Sequence, residues 1–182
     1  SSSSGLSSLS ACRYGGNEAM LRSSSHVNAR SSRACLDSFP RDFVREDFKE
    51  FMYSQSVELP GMLAWLKEWK RDCGFRIISI NNEGKELNDY RVQKFKLHTC
   101  FDAFISSCEV KMRKPGPRIF GLAMGSAQAT PSQCVYFDDR IMFANLAKGL
   151  GLRAYQHTSF EATKEILEDL KQEKFARFGP TN

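Results

Sequence analysis

The chain is short of the residues that most often announce a function. Its six cysteines, at 12, 35, 73, 100, 108 and 134, include no C-x-x-C pair and no grouping with histidine at zinc-finger spacing. Three scattered histidines give no metal-ligand pattern. No apolar run approaches the roughly 20 residues needed to span a bilayer, which argues against a membrane protein. Positive charge exceeds negative by only five, and Lys and Arg alternate with Asp and Glu along the helical segments. Such interleaving forms solvated faces and excludes the basic stripe of a nucleic-acid binder. There is no internal repeat. Acids are nearly missing from residues 1–38, which hold 13 serines and four arginines but only Glu18 and Asp37. That composition, with the Gly15-Gly16 breaker, predicts a mostly structureless tail. It also suits an organelle transit segment, so localisation is read as cytoplasmic or organellar.

What is present begins at Phe39. The 14 Phe and two Trp lie mostly beyond it. Residues 39–58 predict one amphipathic helix capped near Asp42, carrying Phe43, Phe48, Phe51 and Met52. Pro60 opens a second helix through Met62, Leu63, Leu66 and Trp69 that stops at Gly74. From there strands alternate with helices: strands at 75–80, 102–106, 133–137 and 152–156, helices at 84–96, 116–124, 142–148 and 160–170. This alternation predicts an α/β fold with a parallel sheet of βαβ units and flanking helices. Several of the cysteines lie in apolar surroundings and read as small hydrophobes, with a reducing compartment the simpler setting.

Chemistry-bearing residues fall at or just after strand ends. Asn81-Asn82 follow the first of these strands, Lys114-Pro115 follow the second, and Cys134-Val135-Tyr136-Phe137 ends in Asp138-Asp139. In a parallel sheet these ends share one edge. An amide donor, an ammonium and paired carboxylates on one edge suit a phosphoryl group and a hard divalent cation. Each piece alone has a plainer reading: Asn-Asn as a turn, Lys-Pro as a helix start, Asp139 as a helix cap. Their order is the more specific signal.

The blocks Ile78–Glu83, Arg113–Phe120 (R-K-P-G-P-R-I-F) and Val135–Arg140, with the turn Gly149–Leu152, resemble motifs II, III and IV of the haloacid dehalogenase-like (HAD) hydrolases over about residues 40–170. The likeness is to the subfamily with a small helical cap. It implies a Rossmann-like core and Mg2+-dependent phosphoryl transfer to a nucleophilic Asp, which splits one hard displacement into two steps. By resemblance, Asn81 and Asn82 would bind phosphate, with Asn81 in the place of the usual Ser or Thr. Lys114 would steady nucleophile and phosphate, and Asp138 and Asp139 would hold Mg2+. A small phosphorylated metabolite would be the substrate.

The family's first motif, a strand ending in Asp-x-Asp, is not legible. The only candidate nucleophile is Asp37, in Ala34-Cys35-Leu36-Asp37-Ser38-Phe39, and Phe39 at the second position could neither protonate a leaving group nor orient water. The family's first strand lies between the strands of motifs II and IV, and its loss would strand backbone groups inside the sheet. Three outcomes stay open: residues near 33–38 supply a substitute strand, a partner or second copy does, or the chain is truncated or mis-spliced. The sequence therefore divides into a tail (1–38), a remnant cap (39–58) and an α/β core (59–182). It reads as a phosphatase, or as a catalytically impaired protein of the same fold that binds a ligand or partner.

Overall fold

The computed structural model describes residues 8–14, 17–23 and 44–178. Its elements in chain order are β1 (Ser8–Tyr14), β2 (Asn17–Ser23), α1 (Arg45–Ser54), α2 (Met62–Cys73), β3 (Arg76–Asn81), α3 (Lys85–Lys94), β4 (Ala103–Ser106), the one-turn α4 (Ser107–Val110), α5 (Pro117–Ala127), β5 (Cys134–Asp138), α6 (Ile141–Gly149), β6 (Arg153–Gln156) and α7 (Phe160–Phe178). Six strands form one sheet in the order β4-β3-β2-β1-β5-β6. The pairs β3–β4 and β5–β6 are parallel, as the alternation of strands and helices predicts.

Helices cover both faces because the strands alternate apolar residues to either side. On one face Trp69, Leu66 and Leu63 of α2 and Leu167 and Leu170 of α7 pack on Phe75, Ile77, Val135 and Phe137. On the other, Ile119, Phe120 and Ala123 of α5 and Phe143, Ala144 and Ala147 of α6 pack on Ile78, Ile80, Cys134 and Tyr136. The α2 stop is the one the sequence predicts: Gly74 takes φ 65°, a left-handed conformation that costs glycine nothing, and its N–H caps the Lys70 carbonyl. Gly151, at φ 88°, makes the equivalent turn into β6, and an added Cβ would sit 3.3 Å from Pro131.

The N-terminal expectation needs correction. Ser8–Tyr14 and Asn17–Ser23 are not structureless but form an antiparallel hairpin running from Ser8↔Ser23 to Tyr14↔Asn17. β2 runs parallel to both β3 (Ala19↔Arg76) and β5 (Met20↔Val135 to Arg22↔Phe137), while Ser10–Cys12 of β1 run antiparallel to Cys134–Tyr136. The hairpin thus enters the gap between the motif II and motif IV strands. Backbone demand explains it: buried N–H and C=O groups on the facing edges of β3 and β5 must find partners. The substitute strand comes from residues 17–23, whereas 33–38, including the candidate Asp37, lies outside the described residues.

Among the described residues Cys73, Cys100 and Cys108 are free thiols, Cys73 and Cys100 being fully buried. Cys134 is disulfide-bonded, so the free-thiol reading holds for those three and not for it. The backbone register sets Cys134 opposite Cys12. No described helix is long and apolar enough to cross a membrane.

Candidate active site at the sheet edge

The parallel strands deliver their C-terminal residues, Asn81, Ser106, Asp138 and Gln156, to one edge. Period-two alternation decides which neighbours they meet. Tyr136 and Asp138 point to the same face, that of α5 and α6, and the Tyr136 hydroxyl donates a short hydrogen bond to Asp138 Oδ2. The same oxygen accepts from Lys114 Nζ at 2.9 Å, and both side chains are fully buried. Lys114 Nζ lies 3.5 Å from Tyr136 Oη and 4.7 Å from the centre of the Phe143 ring. Asp138 Oδ1 accepts the Arg140 N–H at 3.0 Å. Burial pushes the pKa of Lys114 down, while Asp138, and beyond it Asp139 and Glu83, pull it back up.

Both asparagines make side-chain hydrogen bonds within the protein. Asn81 is the last residue of β3 and is buried. Its Oδ1 accepts from Ser106 Oγ at 2.7 Å and from the Glu83 N–H at 3.2 Å, and its Nδ2 donates to Asn88 Oδ1 at 2.8 Å. It ties β3 to β4 and α3. Asn82 is half-buried and faces the Lys114 main chain, accepting the Lys114 N–H at 2.9 Å and donating to the Lys114 carbonyl at 2.8 Å. Glu83 is buried against Arg91, whose Nε donates to Ser56 Oγ at 2.9 Å. Neither Glu83 nor Tyr136 was singled out from the sequence as a site residue. Tyr136 was findable, because a polar tip two residues before a strand-end Asp must share its face.

Asp139 is half-buried, and its main-chain carbonyl accepts from Gln156 Nε2 at 2.9 Å. Among the described residues no group of three His, Cys, Asp or Glu side chains is placed to hold a metal ion. Asp138, moreover, already accepts from an ammonium, a phenol and a backbone N–H, and is closed to solvent. Mg2+ dehydrates reluctantly and keeps several waters. The described residues therefore do not fit an open Mg2+ site. The parallel strand between β3 and β5 ends in Leu21-Arg22-Ser23, with no Asp at its tip.

α1 buries no residue. It is held to α3 by the stacked Tyr53 and Tyr90 rings, 3.9 Å apart and 5° from parallel, and by Arg45 and Lys49 reaching Glu86.

A family model of the haloacid dehalogenase-like hydrolases matches residues 13–151, most of the chain, covering β2 to β5 and the end of β1 but not β6. The chain belongs to that family. Relatives by sequence include bifunctional epoxide hydrolase 2 of Rattus norvegicus, 31% identical over 60% of this chain and 20% of that protein. The Mus musculus protein of the same name is 26% identical over 75% of this chain and 26% of its own length. Flavin mononucleotide hydrolase 1 of Arabidopsis thaliana, a chloroplast protein, is 28% identical over 71% of this chain and 52% of its own. The chain thus spans about a fifth to a half of these relatives' lengths. By structure, a HAD family enzyme of Bacteroides thetaiotaomicron superposes with TM-score 0.58 at 18% identity, over 78% of this chain and 72% of that one. A mutant form of it, in complex with magnesium and inorganic phosphate, gives 0.56 at 20% identity, over 72% and 70%. These likenesses support the Rossmann-like HAD fold.

Proposed function

We propose that the chain serves as a HAD hydrolase of small phosphorylated metabolites, the Lys114–Asp138 pair forming the charged half of its site. The observation that carries this reading is the ammonium 2.9 Å from a carboxylate at the shared strand edge, fully closed from water. There Coulomb interactions are far stronger than at a surface, so the poorly screened Lys114 cation would act through its field on a phosphate bound at the edge. The relatives named as a flavin mononucleotide hydrolase and as the putative phosphatase YhcW of Bacillus subtilis support the same direction. Lys114 would balance phosphate charge, Tyr136 and Arg140 N–H would hold Asp138 in place, and Asp37 would be the nucleophile. Mg2+ belongs to the proposal through the family, but the closed Asp138 gives it no open coordination position, and no step is assigned to it.

A second reading has its own observation. β2 occupies the place next to β5 without bringing an Asp to its end, which favours a HAD-fold protein that binds a phosphorylated ligand and does not turn it over.

Purified protein incubated with an aryl phosphate, with Mg2+ or with EDTA, separates the two. The hydrolase reading expects turnover that Asp37→Asn abolishes. No turnover in the parent overturns it. The binding reading then expects inorganic phosphate to raise the melting temperature, since a ligand of the folded state alone stabilises it.

A further inference from the structure

We propose that Asn82 is a positioning residue: it fixes the main chain of Lys114 so that the side chain can turn inward to Asp138. Lys114 lies in the loop between the one-turn α4 and α5, where no strand or helix satisfies its N–H and C=O. Asn82 does so from β3's end, taking the N–H on Oδ1 at 2.9 Å and giving Nδ2 to the carbonyl at 2.8 Å. One side-chain amide thus meets both main-chain groups of a single residue, as a paired strand residue would. Downstream, Gly116 N–H closes a turn on the Arg113 carbonyl at 2.8 Å, and an added Cβ at Gly116 would lie 3.0 Å from that carbonyl. Lys114 is held on both sides, and its ammonium has little freedom except toward Asp138, Tyr136 and the Phe143 ring.

The clamp also accounts for the choice of asparagine. Aspartate could accept the N–H but has no N–H to give the carbonyl, and serine is too short to span both groups. An amide spent on Lys114 is not spent on a phosphate, so Asn82 acts through Lys114 and not on the substrate. That the clamp serves turnover rests on the hydrolase reading above; the clamp itself does not.

The test is lysine acetylation by a water-soluble N-hydroxysuccinimide ester, followed by peptide mass spectrometry on the full chain. Lys174, buried against Phe75 on the opposite face of the sheet, reports general loosening in the same sample. In the parent both lysines should label slowly. In Asn82→Ala, Lys114 should label about tenfold faster or more, the change in local opening expected from losing two ordinary hydrogen bonds, while Lys174 stays protected. Asn82→Asp, which keeps the acceptor, should fall between; it also stands as the test should the alanine variant not fold. Equal protection of Lys114 in parent and variants overturns the proposal, as does joint exposure of Lys114 and Lys174. With an aryl phosphate, Asn82→Ala should lower kcat while KM holds. A parent without turnover sinks the hydrolase reading and leaves the labelling result to decide Asn82.

Discussion

Removing the Lys114 ammonium is the sharpest perturbation of this fold. Lys114→Met keeps most of the aliphatic stem and deletes the cation, which lies 2.9 Å from Asp138 and 4.7 Å from the centre of the Phe143 ring. The carboxylate would keep the Tyr136 hydroxyl and the Arg140 N–H but lose its counter-ion in a place closed to solvent. Breaking a buried pair from one side costs about 3–5 kcal/mol, because the remaining charge is uncompensated. For a chain of this size that is a fall in melting temperature of about 6–20 °C. The assay is urea unfolding at pH 7 followed by circular dichroism and by tryptophan emission, Trp69 being buried in the α2 face of the core. Lys114→Met/Asp138→Asn removes the orphaned charge as well and should regain about 2 kcal/mol or more relative to Lys114→Met. The reasoning fails if Lys114→Met stays within about 1 kcal/mol of the parent, a cost ordinary for an uncoupled substitution. It fails equally if the two single losses simply add.

Three further outcomes follow from neighbouring contacts. Tyr136→Phe removes one donor to the buried carboxylate and should cost about 1.5–3 kcal/mol, read as a lower urea midpoint; an unchanged midpoint would mean the hydroxyl bond contributes nothing. Burial pushes the Cys73 thiol up to about 12, so native protein at pH 8.5 should leave Cys73 unmodified by iodoacetamide until urea is added. Between the ordinary value of 9.0 and about 12 the unfolded chain releases a proton that the folded chain keeps. Stability should therefore fall as pH rises through that window, and Cys73→Ala should flatten the fall. Tyr90→Ala removes the ring stacked on Tyr53, worth about 0.5–1.5 kcal/mol beyond area, and should make the 44–61 segment cut earlier in limited proteolysis while the core resists.

Much of this arrangement was legible in the residues, and the exceptions have identifiable physical causes. Every strand from β3 to β6 is announced by apolar residues packed from both sides, and each helix stop at Gly74 and Gly151 by a need for positive φ. Lys114 and Asp138 were legible as neighbours at one edge, since β5 ends in Asp138 and Lys114 follows the end of β4. β2 was not, since Glu18-Ala19-Met20-Leu21 is made of residues that prefer helix. Its strand state comes from the open backbone of β3 and β5, a tertiary demand with no local signature. The Gly15-Gly16 pair, read as a breaker, was the available hint, because such a pair between two strand partners is a hairpin signal. The asparagines were placed at the edge, but their contacts within the protein were not foreseen. Whether Asn82 meets a phosphate or the Lys114 main chain depends on how closely a loop 32 residues away approaches it, and spacing along the chain does not encode that.

The hairpin between β3 and β5 also has a consequence for how the molecule is assembled. β3 with β4, and β5 with β6, are each close in sequence and can pair early. The strand that joins the two halves pairs Met20 with Val135, across more than half of the chain. Closing so long a loop is entropically costly and slow compared with local pairing. The sheet is therefore expected to form from its margins inward. Its middle should close last, and the candidate site edge, whose strands the hairpin holds side by side, should reach its final spacing only at that step.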